Sequence, residues 1–277
     1  KAAVLPLHLW LPALFSAGIA PEAALFAIMT KVGVYAILRT FTLILPVTGP
    51  GADAAAVLPV VALLTLAAGA LGALAARRLT VLIAYLVVVS VGTMLAGISL
   101  FTVPGLTAAL FYLPHTTLIT AGLFLLAALI ADRRGAVDDQ LQAAAVNPGN
   151  LLAGLFFLAA VAVAGMPPLA GFLGKLLLLQ AVAPPQAPWL WAVVLAGSLA
   201  AIVALSRAGS SLFWRSEGEG VAGAGLPMPL LTATVMLLLL TVALTVWAAP
   251  LTRYAEATAT QLLRPQATVE AVLGREA

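Results

Sequence analysis

The sequence predicts an all-α fold, a polytopic transmembrane helical bundle, and three observations carry that expectation. The 277 residues are 63% hydrophobic and 8% charged, with a mean hydropathy of +1.14, whereas soluble domains are about half apolar and a quarter charged. Apolar runs long enough to cross a bilayer core as helix, about 20 residues, recur between charges and Pro/Gly breaks. Paired arginines mark alternate junctions between those runs, the bias expected of a multi-pass chain.

Several function classes drop out at this stage. Cysteine is absent, which excludes a disulfide framework, cysteine-ligated iron–sulfur clusters and thiol catalysis. Two histidines and few acids in the apolar runs leave no zinc-ligand spacing, so neither metal nor cofactor is expected. The isoelectric point is near 9.6, yet the arginines are scattered in pairs rather than gathered on a stripe, so nucleic acid is not an expected partner. No phosphate-binding glycine loop or nucleophile triad is present.

The elements follow in order along the chain. Residues 1–19 begin inside one helix, interrupted by Pro6 and Pro12; Lys1 is followed at once by an apolar stretch with no basic leader, so the segment reads as the C-terminal part of a longer protein. Pro21 opens a run to Leu45, closed by Pro46 and Gly49-Pro50-Gly51. Further runs cover 54–76, 79–101 and 105–131, and a polar stretch covers 132–149. A run over 150–183 is cut in its middle by Gly165-Met166-Pro167-Pro168 and Gly171, which predicts a discontinuous helix. The last spans are 188–214 and 226–249, and a tail of 250–277 spaces Tyr254, Leu262, Leu263, Val269 and Val272 among charges, the pattern of an interfacial or partner-bound segment.

The three lysines stand apart from this pattern. Lys1, Lys31 and Lys175 all fall in apolar stretches, while every other basic residue is an arginine. A lysine at the centre of a spanning helix costs about 2.5–3.5 kcal/mol on insertion scales. Lys31 lies ten residues into its run, so it sits ~15 Å deep at 1.5 Å per residue, with Thr30 beside it and Tyr35 one turn on as candidate hydrogen-bonding partners. It reads either as a packing lysine paired with a buried carboxylate or as a proton carrier, and the visible chain offers no deep carboxylate. His115 sits ~16 Å into the 105–131 run. It follows Pro114, which leaves the Leu110 carbonyl without its helical donor, and Tyr112, Thr116, Thr117 and Thr120 surround it with hydroxyls. That setting suits a proton relay as well as packing.

Lys175 follows the Gly-Met-Pro-Pro interruption, and broken helices at membrane depth place charges beside free helix ends. It is the sharpest site signal. His8 and Trp10 suit interfacial anchoring, and His8 equally suits proton exit. Glu22, just after Pro21, suits the positive end of a helix dipole. Arg39, Arg77, Arg78, Arg207 and Arg215 read as helix-end anchors or topology signals.

The segment Lys1-Ala2-Ala3-Val4-Leu5-Pro6-Leu7-His8-Leu9-Trp10-Leu11-Pro12, with Met29-Thr30-Lys31-Val32-Gly33-Val34-Tyr35, Tyr112-Leu113-Pro114-His115 and Gly165 to Phe172 with Lys175, resembles the antiporter-like membrane subunits shared by respiratory complex I and Mrp-type cation/proton antiporters. The resemblance covers most of residues 1–180. It implies an antiporter-like inverted-repeat fold over 1–249, with 250–277 as an added tail. It also implies a proton relay of Lys1, Lys31, His115 and Lys175, with His8, Tyr35, Tyr112, Thr116, Thr120 and Glu22 as secondary candidates. Two departures from complex I relatives, Leu86-Val87-Val88-Val89-Ser90 after Ala84-Tyr85 and Ile119-Thr120 in place of a lysine after the histidine, make it more similar to the D subunits of Mrp antiporters.

The implied function is that of a proton-translocating subunit in a multisubunit Na+/H+ antiporter of the bacterial plasma membrane. Protons, monovalent cations, other antiporter subunits and the lipid bilayer are the implied partners. Such a protein is a secondary transporter component and not an enzyme. The alternatives are a proton-pumping membrane subunit of a complex I-like NADH:quinone or hydrogenase complex, and a non-conducting scaffold.

Orientation is testable from the arginine bias. Junctions 77–78, 132–149 and 215–225 are expected to face the cytoplasm, and 46–53, 102–104 and 184–188, which contain no Lys or Arg, to face outward. In the cysteine-free chain, Asp138→Cys should label only from the cytoplasmic side and Thr48→Cys only from outside. The opposite labelling would invert the assignment.

Overall fold

A computed structural model describes residues 1–18, 20–45, 51–144, 148–185, 187–215 and 226–264. Every regular element among them is helical. Residues 1–4 form no regular element, with Ala3 at φ +55°, and a 3-10 turn at Leu7–Leu9 leads into α1, Trp10–Ala17. Then follow α2 (Ala20–Arg39), α3 (Ala52–Ala75), α4 (Leu79–Ile98), α5 (Val103–Arg134), α6 (Asn150–Ala164), α7 (Ala170–Ala181), α8 (Ala187–Gly209), α9 (Met228–Val246) and α10 (Ala248–Leu262). A π-helical turn finishes α2 at Thr40–Ile44 and another finishes α8 at Ser210–Trp214.

Among the described residues, six helices are long and apolar enough to cross a membrane: Pro21–Ile44, Ala52–Ala75, Leu79–Ile98, Val103–Val137, Ala187–Trp214 and Met228–Val246. The helices α6 and α7, 15 and 12 residues long, reach only ~22 and ~18 Å. Each is too short alone, and together they supply the helix of one more crossing.

The sequence places these elements within a few residues, with four corrections. Residues 1–4 are not helical: they form no regular element, and Leu5 N–H donates to Thr65 Oγ1 on α3 at 3.1 Å. Pro12 does not interrupt anything, because it falls in the first turn of α1, where no i−4 donor is needed. The break in the 150–183 run spans 165–169 only, and Gly171 belongs to α7. The α9 run ends at Val246, and the tail from 248 begins as a helix with Pro250 in its first turn.

At the centre is α5, against which α2, α4, α6, α7, α9 and α10 all pack. Beside it α4 is buried along almost its whole length, as expected of a helix apolar on every side. Lipid provides little hydrophobic drive between helices, so association rests on close packing. Gly92 shows how close: a Cβ there would lie 2.6 Å from Leu66 N on α3.

The polar stretch after α5 is held by a latch. Arg78, between α3 and α4, donates from Nε to Asp139 Oδ1 at 2.6 Å and from its terminal nitrogen to Asp138 Oδ2 at 2.7 Å. The other Asp139 oxygen accepts Thr80 N–H at 2.9 Å and the Thr80 hydroxyl. Arg134 donates to the carbonyls of Asp138, Gln140 and Gln142. The hydrogen bond to Asp139 raises the Arg78 pKa above its usual range. Since Arg207 also donates to the Ala76 carbonyl at 3.1 Å, the α3–α4 junction, the loop after α5 and the end of α8 lie at one end of the bundle. The junction residues 46–50, 186 and 216–225 fall outside the described residues.

The latch predicts an asymmetric response. Asp139 is buried and Asp138 half-exposed. Asp139→Ala leaves the guanidinium and Thr80 without their acceptor and should cost about 1–3 kcal/mol, whereas Asp138→Ala should cost less than about 1 kcal/mol. Thermal unfolding in detergent checks this, and equal losses would contradict it.

Candidate functional site

The site is built on the interruption between α6 and α7. Beyond Ala164, Gly165 takes φ +77°, a left-handed conformation that glycine adopts without strain. Gly165 N–H bonds the Ala162 carbonyl at 3.2 Å and Met166 N–H bonds the Val161 carbonyl at 3.1 Å, the paired pattern of a Schellman helix end. The Ala164 carbonyl is left facing the break, and Lys175 of α7 turns back to meet it.

Lys175 is 7% exposed. Its Nζ donates to Ala164 O at 2.7 Å and to Ser198 Oγ on α8 at 2.9 Å. The Ser198 hydroxyl in turn donates to Val194 O at 2.9 Å, which orients its lone pairs for the ammonium. One lysine thus joins α6, α7 and α8. It also sits at the negative end of the α6 dipole. A Cβ at Gly165 would lie 2.9 Å from Lys175 Nζ, so glycine clears the space for the lysine stem as well as supplying the turn.

His115 reaches the same break from α5, which continues through Pro114 as helix. It is 1% exposed, its Nδ1 has no hydrogen-bond partner among the described residues, and its imidazole lies against the Ala162 backbone carbonyl. A Cβ on Gly171 would lie 2.3 Å from Ala162 O and 2.6 Å from His115 Nε2, so the imidazole faces the end of α6 across a gap that only glycine leaves open. Tyr112 packs on the His115 ring at 5.6 Å between centroids, and its hydroxyl lies within reach of Ser90 on α4. Lys31 on α2 is 3% exposed, and its Nζ has no hydrogen-bond partner among the described residues. The charges of Lys175 and, less strongly, Lys31 both act on His115. Thr116 Oγ1 is a further buried atom without a partner, and Thr120 is buried as well.

Other expected site residues stand apart. Tyr35 is 53% exposed and does not hydrogen-bond Lys31. Four residues along a helix turn 400°, so Tyr35 is displaced by ~40° onto the outer stripe with Ile28 and Val32, while Lys31 keeps to the inner one with Ala27, Val34 and Leu38. Thr30 spends its hydroxyl on Ala27 O at 3.1 Å. The Lys1 side chain is exposed, although its backbone lies against Gly33, where a Cβ would approach its carbonyl carbon to 2.9 Å. His8 is half-buried with Nδ1 unpartnered, and Glu22 is exposed in the first turn of α2. A cavity of about 560 Å³ beside Arg78, Asp132 and Asp139 does not include any of the lysines in its lining.

Sequence reasoning missed Ser198 and gave Arg134 only a topological role. The signal for Ser198 was present, as a lone hydroxyl near the middle of an apolar run. What could not be read from one sequence is which helix it faces.

Residues 1–202 match a family described as NADH:quinone oxidoreductase/Mrp antiporter, transmembrane. A Rhizobium meliloti relative, named as a candidate D subunit of a K(+)/H(+) antiporter, is 36% identical over 99% of this chain and 56% of its own length. An Alkalihalophilus pseudofirmus relative, named as the D subunit of a Na(+)/H(+) antiporter, is 33% identical over 99% and 55%. The chain therefore spans about half the length of the curated relatives it matches. Among solved structures, a chain of the Mrp complex from Dietzia sp. aligns with TM-score 0.84 and 27% identity, over 99% of this chain and 59% of that one. A chain of respiratory complex I from Thermus thermophilus aligns with TM-score 0.76 and 31% identity, over 95% and 56%. The chain belongs to the NADH:quinone oxidoreductase/Mrp antiporter transmembrane family.

Proposed function

We propose that the full-length protein is a proton-translocating subunit of a multisubunit monovalent cation/proton antiporter in the bacterial plasma membrane, and that Lys1, Lys31, His115 and Lys175 carry its protons. It acts as a secondary transporter subunit. The observation that carries this reading is Lys175, held in the α6–α7 break by Ala164 O and Ser198 Oγ with His115 facing the same helix end. Burial disfavours an ammonium relative to a neutral amine, so a lysine at this depth can give up a proton that arginine would keep. Water supplies the links between Lys31, His115, Thr116 and Lys175, whose polar atoms are buried, and Lys31 Nζ, His115 Nδ1 and Thr116 Oγ1 have no hydrogen-bond partner among the described residues.

Exchange requires that protonation at one position alter cation affinity at another, and the coupling is reciprocal. Lysines repel a cation. We therefore assign cation binding to oxygen ligands elsewhere in the assembly, with sodium or potassium as the exchanged ion by analogy with the named relatives. Likeness to the Thermus complex I chain supports a second reading, a proton pump driven by redox partners. Iron–sulfur or flavin subunits purifying with the native complex would select that reading, and their absence from an active exchanger would select the first.

Two variants test the relay. His115→Ala should slow cation-dependent proton flux in vesicles at matched protein levels without loss of assembly, and unchanged flux from pH 6 to 9 would make His115 a packing residue.

Lys175 calls for a finer comparison, since a residue that merely caps α6 would show the same contacts. Arginine can still donate to Ala164 O, so a pure cap survives Lys175→Arg. A proton carrier does not survive it, nor Lys175→Met or Lys175→Ala, and flux should fall on the order of 10²-fold in all three, the scale of losing a positioned proton-transfer group. Robust exchange by Lys175→Arg would recast the lysine as a fixed charge.

A further inference from the structure

A groove of about 360 Å³ runs along the bundle between α6 and α8. Phe156, Phe157 and Val161 on one side face Ile202, Leu205 and Phe213 on the other. The Phe156 and Phe213 rings meet in it with centroids 5.6 Å apart. Its inner end is Ala164 and Met166, the start of the break, and its outer end is Trp214, which is 86% exposed. Arg215, also exposed, follows directly.

We propose that this groove binds one acyl chain of an anionic phospholipid, with the headgroup phosphate at Arg215. Length supports the assignment: from Ala153 to Ala164 the groove wall is ~16 Å long at 1.5 Å per residue, and one leaflet's share of a ~30 Å hydrocarbon core is ~15 Å. Volume fits a single chain, since small apolar ligands occupy sites of ~300–1,000 Å³. Charge and position give the orientation. Trp214 is the kind of residue that settles at the headgroup level, and the arginine beside it attracts an anionic headgroup. The chain end then abuts Ala164, on the outer side of the carbonyl that holds Lys175, and keeps water from entering the break laterally. The inference rests on membrane placement and not on transport, so the two readings fail separately.

The test uses the full-length protein in its native complex, reconstituted with phosphatidylglycerol carrying a photoreactive diazirine near the end of one acyl chain. Peptides from 153–166 and 202–214 should be labelled severalfold more than the outer face of α9, around Met236 and Leu240, which is also exposed. Ala160→Phe, which narrows the groove wall, and Ser206→Phe, at its exposed rim, should each reduce that labelling to the α9 level. Arg215→Gln should lower the preference for phosphatidylglycerol over phosphatidylcholine by roughly fivefold, the worth of one basic residue near an anionic surface. Equal labelling of both faces in the unaltered protein would mean ordinary bilayer contact and would overturn the proposal. So would an unlabelled groove crosslinked instead to another subunit. The comparison of faces needs no variant, so a misfolded substitution does not remove the test.

Discussion

A helix cannot be cut in the middle of a membrane unless something accepts the hydrogen-bonding groups that the cut releases. Here the Schellman turn satisfies the Ala162 and Val161 carbonyls, and Lys175 Nζ takes the Ala164 carbonyl. The contact solves two problems with one residue, because the carbonyl at the negative end of α6 is also what makes a buried ammonium tolerable. The surrounding packing serves this contact. Gly165 makes room for the lysine stem, Gly174 lets Tyr112 lie close against α7, and Ser198 brings α8 to the same point.

The long helix α5 connects this contact to the rest of the bundle. It packs on both halves of the broken helix and on α2, and so carries His115 to the break while Lys31 lies on the neighbouring α2. The Arg78–Asp139 latch holds the start of α4 to the loop after α5, and the close α3–α4 pairing at Gly92 brings in Leu66, which also packs on Gly197 beside Ser198. On the proposed relay a lysine gains and loses a proton and so contributes unevenly to stability, and this rigid frame would keep the site in place through that change.

Much of this was legible in the sequence, for definite reasons. Spanning helices announce themselves by length and hydropathy, so α2, α3, α4, α5, α8 and α9 fall close to the expected runs, and the proline–glycine cluster located the discontinuous helix. Depth could be counted, which singled out Lys31 and His115, and the break singled out Lys175. Facing could not be counted as well. On α2 a difference of ~40° between Lys31 and Tyr35 separates the interior from the lateral surface, and one sequence does not say where the boundary falls. Partnership was least legible: Ser198 lies 23 positions from Lys175, and Arg134, read as a topology signal, ties down the loop that follows it. Lys1 remains a relay candidate by resemblance, with only its backbone placed beside α2.

The central claim is that the buried lysines exchange protons through water inside the bundle, and one measurement addresses it without relying on transport. Solid-state NMR of the full-length protein in lipid bilayers, with ¹⁵N-labelled lysine and the Lys31 and Lys175 Nζ signals assigned by their loss in Lys31→Met and Lys175→Met, can detect magnetisation passing from mobile water to each nitrogen. The account predicts transfer to both, despite 3% and 7% exposure, and a weaker signal at Lys31 when His115 is replaced by alanine. Transfer to surface lysines with none to either buried one would show a dry pair of packing charges and would contradict the relay.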